Sequence, residues 1–97
     1  MALNPKIGTW RGQRVWVIGA SYGIGAALAR RLVNEGARVA MSARSRDLLD
    51  AIAEGTDAIV APLDVTDPAS VRNAATTVLA DFGGIDLVLI VAGTHME

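Results

Sequence analysis

The residues best suited to chemistry lie in a glycine-bearing segment near the N-terminus. Gly19-Ala20-Ser21-Tyr22-Gly23-Ile24-Gly25 spaces its glycines as G-x-x-x-G-x-G. Glycine lets a backbone turn sharply and approach a pyrophosphate closely, and the free N–H groups of a helix N-terminus attract an anion. Because a predicted strand precedes this segment and a predicted helix follows it, the pattern indicates a dinucleotide-binding turn. The alternative is that the glycines serve only close packing of the strand against the helix.

A second candidate, Arg44, follows the second predicted strand, about 20 residues beyond the glycine segment. An acidic residue near this place holds the ribose 2'-hydroxyl of NAD, whereas an arginine forms a charge-assisted fork with the 2'-phosphate of NADP. Arg44 therefore favours NADP as the cofactor over NAD. The alternative is that Arg44 and Arg46 only solvate a loop and the start of a helix.

Strand and helix patterns alternate along the chain. Strands are predicted at 14–18, 37–42, 57–62 and 85–91, and helices from Ile24 to Gly36, from Ser45 to Gly55 and from Asp67 to Gly83. With right-handed crossovers, this order predicts an α/β fold: a Rossmann-type doubly wound parallel sheet, first half only, with strand order 3-2-1-4. The first two helices then share one face of the sheet and the third covers the other. A ligand crevice is expected at the carboxyl ends of strands one and four, where the order reverses.

Apolar periodicity predicts which side chains face the core. Ile24, Leu28 and Leu32 form the predicted stripe of the first helix, and the third helix carries Val71, Ala75, Val78, Leu79 and Phe82. The nearly continuous apolar run at 85–91 is typical of a parallel strand buried on both faces. Trp10 and Trp16 are interpreted as packing residues.

These segments together resemble the short-chain dehydrogenase/reductase family over essentially all 97 residues. Val17 to Gly25 is similar to the family's nucleotide loop, Leu63 to Asp67 to its adenine-side segment after strand three, and Ala92-Gly93 to the end of its N-N-A-G motif. Two departures stand out. Ile18 replaces the usual threonine, and Ile90-Val91 replace the usual paired asparagines that help to brace the sheet.

The resemblance implies roles for further residues. The aspartate that matches Asp64 meets the adenine amino group in the family, assisted by the backbone of the next residue, here Val65; the alternative is that Asp64 is an ordinary turn residue. Tyr22 either covers the adenosine phosphate or lies on the surface. The predicted cofactor-binding set is therefore Gly19, Ser21, Tyr22, Gly23, Ile24, Gly25, Arg44, Asp64, Val65, Ala92 and Gly93.

No catalytic residue is predicted. Family members transfer protons with a tyrosine that has a lysine four positions on, but Tyr22 is the only tyrosine, Lys6 the only lysine, and Ala26 stands four positions after Tyr22. The chain therefore resembles the N-terminal, NADP-binding portion of a longer oxidoreductase that transfers hydride between a nicotinamide cofactor and a carbonyl or alcohol, and alone it is predicted to be inactive. The alternative is a non-catalytic dinucleotide-binding or sensing module. The sequence that follows Glu97 would discriminate between the two.

Composition limits the remaining functions. The chain has 52% hydrophobic residues and a net charge of −1, which suits one folded domain over residues 1–97 and disfavours nucleic acid or an anionic membrane as a partner. It has no cysteine and one histidine, His95, so no metal site is predicted. Since no signal peptide or long apolar run is visible, a cytoplasmic location is expected. The open edge of the fourth strand predicts self-association into a homo-oligomer through the exposed sheet edge or face.

Overall fold

The computed structural model of the chain describes residues 9–21 and 23–91. Strands and helices alternate along these residues: β1 (Arg14–Ile18), α1 (Gly23–Asn34), β2 (Arg38–Ser42), α2 (Arg46–Ala53), β3 (Ile59–Val60), α3 (Pro68–Phe82) and β4 (Leu87–Ile90). The strands form one parallel sheet in the order β3-β2-β1-β4. The predicted α/β Rossmann-type sheet with order 3-2-1-4 is therefore confirmed, although β3 and β4 are shorter than the predicted strands.

The central strand β1 fixes the register of the sheet. Val15 lies between Val39 of β2 and Leu87 of β4, and Ile18 lies between Ser42 and Ile90. Val15 and Val17 are fully buried, as expected for β-branched residues in a parallel strand covered on both faces.

Helices cover the two faces of the sheet as predicted. One core lies between the sheet and the pair α1 and α2, and includes Val15, Val17, Met41 and Leu49. The other core lies between the sheet and α3, and includes Trp16, Ala40, Val78 and Phe82. Trp16 is a packing residue, as expected, and its indole Nε1–H donates to the hydroxyl of buried Ser42 at 2.8 Å.

The predicted core stripe of α1 is wrong at its start. Ile24 is 78% exposed, and the buried residues of α1 are Gly25, Ala26, Ala29 and Leu32. The reason is steric, because the first turn of α1 approaches the turn after β1 so closely that only small residues fit there. The face of α1 that packs against the sheet therefore carries mainly small residues, and the large apolar side chain of Ile24 lies outside it.

The starts of α2 and α3 form as their sequences predict. The Ser45 hydroxyl accepts from the Leu48 N–H at 3.2 Å, and the Asp67 carboxylate accepts from the Ala69 N–H at 3.0 Å. Both side chains satisfy first-turn N–H groups that have no partner within the helix. Within the predicted stripe of α3, Leu79 is the exception, since it is exposed.

β4 differs from the prediction of burial on both faces. Within the described part of the chain it pairs only with β1, so one edge is open. Leu87 and Leu89 are half-buried against the core of α1 and α2, whereas Val88 and Ile90 are exposed. The apolar run identified a parallel strand correctly, and the edge position of that strand among the described residues agrees with the predicted order 3-2-1-4.

Candidate functional site

A crevice of about 700 Å³ lies at the carboxyl ends of the strands. Its volume is in the range of small-molecule and cofactor sites. Its walls come from the ends of the four strands and the segments that follow them. They are Ile18, Gly19 and Ser21 at and after the end of β1, Ala43, Arg44, Ser45 and Leu48 after β2, Leu63 and Val65 after β3, and Ile90 and Val91 at and after the end of β4. The crevice therefore lies where the strand order reverses, as the sequence predicts.

Gly19 begins the turn that follows β1. Its φ of 96° is in the left-handed region, and its N–H donates to the Ser42 carbonyl at 2.7 Å. A Cβ at this position would collide with the carbonyl oxygen of Val91. Only glycine fits here without strain, because the turn is held between the ends of β2 and β4.

Gly25 allows α1 to begin directly against that turn. A Cβ on Gly25 would overlap with the carbonyl oxygen of Gly19. The N-terminus of α1 is thereby placed at the crevice end of the sheet, beside Ser21, which lines the crevice. The first-turn N–H groups of a helix have no intrahelical acceptors and favour an anion, so this arrangement suits a phosphate group.

Arg44 lies in the wall of the crevice, whereas Arg46 does not. Arg44 is exposed, and among residues 9–21 and 23–91 no carboxylate lies within 4.0 Å of it. Arg46 instead faces Asp50 on α2 at 3.7 Å. The structure therefore brings one of the two arginines, Arg44, to the crevice.

Asp64 is engaged in hydrogen bonds of its own loop. Its Oδ1 accepts from the Thr66 hydroxyl at 2.7 Å and from the Thr66 N–H at 2.9 Å, and its own N–H donates to the Ser70 hydroxyl at 2.9 Å. The Thr66 hydroxyl is the main cause that lowers the pKa of the Asp64 carboxyl, followed by the Thr66 N–H; the charge of Arg44 adds a smaller effect. The crevice wall includes the neighbours Leu63 and Val65 but not Asp64.

The other predicted site residues are divided between the described and the undescribed parts of the chain. Gly23 and Ile24 lie at the exposed start of α1. Tyr22, Ala92 and Gly93 lie outside the described residues.

The predicted cofactor-binding set omits several residues of the crevice wall, notably Ile18, Leu48, Leu63 and Ile90, although Ile18 and Leu63 lie in segments that the resemblance assigns to the nucleotide loop and the adenine side. Ile18 and Ile90 are direct neighbours in the register of β1 and β4. A signal for all of them was available, since each lies at the carboxyl end of a predicted strand or in the first turn of the next helix.

Residues 9–21 and 23–91 show neither a metal-binding cluster nor a membrane-spanning helix. Across residues 9–21 and 23–91, no group of three or more histidine or carboxylate side chains is placed to hold a metal ion. Over the same ranges, no helix combines the length and the apolar character needed to cross a bilayer.

Comparisons with known proteins agree with this geometry. The family model described as short chain dehydrogenase matches residues 13–97. Gluconate 5-dehydrogenase of Gluconobacter oxydans is 37% identical over 95 residues, which cover 93% of this chain and 37% of that protein. The chain thus spans little more than a third of the length of this relative.

Solved structures show the same fold. L-sorbose reductase of Gluconobacter frateurii, complexed with NADPH and L-sorbose, superposes with a TM-score of 0.82 at 32% identity over 89% of this chain and 35% of that one. A 3-ketoacyl-(acyl-carrier-protein) reductase of Brucella melitensis, complexed with NADH, gives 0.79 at 27% identity over 82% of this chain and 34% of that one. Together with the crevice and its glycine turn, these matches show that the chain belongs to the short-chain dehydrogenase family of oxidoreductases.

Proposed function

We propose that this chain is the NADP-binding portion of a short-chain oxidoreductase that transfers hydride between a nicotinamide cofactor and a carbonyl or alcohol substrate. The observation that carries the proposal is the meeting of three features at one edge of the sheet. These are the glycine turn, a crevice of about 700 Å³, and Arg44 in its wall. A dinucleotide needs a close backbone approach for its pyrophosphate and a concave site for its bases, and both are present here.

In this proposal the diphosphate lies at the start of α1. Gly19 and Gly25 supply the close backbone approach, Ser21 lines the crevice beside them, and Gly23 and Ile24 begin the helix. The partial positive charge at the helix N-terminus favours the diphosphate anion. Tyr22, Ala92 and Gly93 are proposed to border the same cofactor, as the resemblance of the surrounding motifs to those of the family implies.

Arg44 is proposed to select NADP over NAD. A guanidinium that has no carboxylate partner within the described residues can bind the 2'-phosphate in a bidentate manner. A charged hydrogen bond of this kind contributes about 1.5 to 3 kcal/mol. The structural relatives include complexes with NADPH and with NADH, so the preference rests on Arg44 itself.

The chain alone is proposed to bind the cofactor without turnover. When bound, the nicotinamide would supply or accept the hydride, and the residues described above would hold the cofactor that carries it. Proton transfer needs an acid such as the family's lysine-assisted tyrosine, and this sequence offers no tyrosine with a lysine four positions on. We place that step, and the choice of substrate, in the remainder of a parent enzyme.

We also propose that the isolated chain self-associates. Among residues 9–21 and 23–91 the outer edge of β4 is open, and this strand is apolar along its length with exposed Val88 and Ile90. An uncovered edge without charges or proline is a template for strand pairing. This makes a homo-oligomer the expected state of the chain on its own.

Calorimetric titration of the chain with NADPH and with NADH tests the proposed function. The expected result is binding of NADPH about tenfold or more tighter than that of NADH, with no oxidation of NADPH when aldehydes and ketones are added. Failure of both cofactors to bind would overturn the cofactor assignment. Equal affinities would overturn the NADP preference, and measurable turnover would overturn the proposed inactivity.

A further inference from the structure

A buried hydrogen bond joins the two central strands, β1 and β2. The indole Nε1–H of Trp16 donates to the hydroxyl oxygen of Ser42 at 2.8 Å. Trp16 is 6% exposed, and within residues 9–21 and 23–91 Ser42 is the one polar residue that is buried. A buried polar group needs a partner inside the fold, because leaving it without one costs free energy. Each of these two side chains therefore supplies a partner for the other.

A small residue on β2 lets the indole reach this hydroxyl. Trp16 lies beside buried Ala40 in the register of β1 and β2, and both belong to the core under α3. Ser42 is two positions further along β2, so it lies on the same face of the sheet as Ala40. The short side chain of Ala40 leaves room for the ring of Trp16 to extend toward the end of β2.

The backbone of Ser42 holds the turn that follows β1. Its carbonyl oxygen accepts from the Gly19 N–H at 2.7 Å and from the Ala20 N–H at 3.1 Å. These two hydrogen bonds fix the point at which the chain leaves the sheet, and Ser21 in the crevice wall follows directly. The place of the glycine turn therefore depends on the place of the last residue of β2.

The side chain and the carbonyl of Ser42 are linked because they belong to one residue at a strand end. A serine hydroxyl without a distant partner competes for backbone groups near it in the sequence and so disturbs regular structure. The indole N–H of Trp16 engages this hydroxyl from the neighbouring strand. Removal of that N–H would free the hydroxyl and loosen the end of β2, on which Gly19 and Ala20 depend.

We infer that Trp16 and Ser42 are positioning residues for the cofactor: their buried hydrogen bond fixes the end of β2, and the Ser42 carbonyl thereby holds the glycine turn in place for the diphosphate. Neither residue is part of the crevice wall, so both act through Gly19 and Ala20. This inference rests on the proposed function, since it concerns the turn that is proposed to lie at the diphosphate of NADP.

Amide hydrogen exchange, followed by NMR, tests the hold on the turn without any ligand. Trp16→Phe keeps an aromatic ring but removes the indole N–H, and Ser42→Ala removes the hydroxyl. In each variant the amides of Gly19 and Ala20 should exchange about fivefold to tenfold faster relative to the amide of Ala61. The Ala61 N–H donates to a carbonyl of β2 at 2.9 Å, and it is the reference because a general loss of stability accelerates exchange at both places.

Calorimetry with NADPH tests the consequence for the cofactor. Trp16→Phe and Ser42→Ala should each lower NADPH affinity about fivefold to tenfold. The double variant should bind no more weakly than the weaker single variant, because the first change already removes the hydrogen bond.

The matched control is Phe82→Leu. It reduces the same core at the other end of β2, where the guanidinium of Arg38 lies 4.9 Å from the centre of the Phe82 ring. This variant should be less stable in urea, yet it should keep the NADPH affinity and the exchange ratio of the unaltered chain. A residue that contributes only to packing would behave like Phe82.

Two results would overturn the inference while leaving the proposed function intact. One is an exchange ratio or an NADPH affinity that is unchanged in both Trp16→Phe and Ser42→Ala; if Trp16→Phe failed to fold, Ser42→Ala alone would decide. The other is a loss of NADPH affinity in Phe82→Leu as large as in those variants, which would show that affinity follows stability. If the unaltered chain did not bind NADPH, the proposed function would fail, and the cofactor role of the pair with it.

Discussion

Gly25 lies against the carbonyl oxygen of Gly19, so closely that no side chain fits between the first turn of α1 and the turn after β1. This contact links the packing of the helix on the sheet to the shape of the crevice. The same glycine that lets α1 pack closely also brings the helix N-terminus to the place where a phosphate would bind.

Gly25→Ala is therefore expected to reduce both stability and cofactor binding. Inserting a methyl group into a filled contact destabilises by about 1 to 3 kcal/mol, because the helix must move away from the turn. Urea unfolding measures the first effect and calorimetry with NADPH the second. The matched control is Gly55→Ala, which adds a Cβ to open space away from the crevice and suffers only the strain of a positive φ of 80°. Full NADPH affinity in a folded Gly25→Ala variant would contradict the prediction.

Arg44→Asp is expected to reverse the cofactor preference. The substitution replaces a cation in the crevice wall by an anion that repels a 2'-phosphate and can accept from a 2'-hydroxyl. NADPH affinity should fall by about tenfold or more, while NADH affinity is kept or improved. Arg46→Asp, outside the crevice wall, serves as the control for charge alone. An unchanged ratio of NADPH to NADH affinity in Arg44→Asp would count against the assignment.

The ion pair at the opposite end of the sheet predicts a pH dependence of stability. Asp86 accepts from Nε of Arg14 at 3.0 Å, from Nη2 at 3.0 Å and from the Arg14 N–H at 2.8 Å. These hydrogen bonds lower the pKa of Asp86 from 3.8 to about 2. A carboxyl whose pKa is lowered by folding stabilises the protein above its unfolded pKa and loses that contribution as the pH falls through the folded one.

The free energy of unfolding should therefore fall between about pH 4 and pH 2, and Asp86→Asn should make this fall shallower. Urea unfolding at a series of pH values measures both slopes. Asp50→Asn, which removes one carboxylate on α2 away from this pair, is the matched control variant. Equal slopes for Asp86→Asn and the unaltered chain would refute the role of the pair.

Val88→Lys is expected to reduce self-association. Val88 is exposed on a strand whose outer edge is open among residues 9–21 and 23–91, and it lies outside the crevice wall, so a lysine there protects the edge without altering the proposed cofactor site. Light scattering at high concentration should show a larger species for the unaltered chain than for the variant. A monodisperse monomer for the unaltered chain would remove the basis for the proposed homo-oligomer.

The sequence predicted the sheet order and the position of the crevice because these depend on local signals. Ser45 and Asp67 mark helix starts by capping, and Gly19 ends β1 at a turn that only glycine fits. Such effects act between residues close in the sequence. The order of the strands then follows from the handedness of the crossovers.

The sequence was less informative where contacts between distant segments determine which side chains are buried. Ile24 fits a helical apolar stripe, yet the close approach of Gly25 to Gly19 turns a different set of residues toward the sheet. Similarly, the apolar run of β4 predicts burial on both faces, yet Val88 and Ile90 are exposed. For Asp64, the choice between a turn and an adenine contact depends on hydrogen bonds to Thr66 that spacing alone does not fix.

The account depends most directly on NADPH binding among the loops at the carboxyl edge of the sheet. Backbone amide NMR of the isotope-labelled chain during titration with NADPH locates the binding site. The account predicts the largest shift changes in residues 19–25, 43–48 and 63–66, with the amides of Arg14 and Asp86 at the opposite end nearly unaffected. Saturable shifts concentrated around Arg14 and Asp86, or no saturable shift in the three crevice segments, would contradict it.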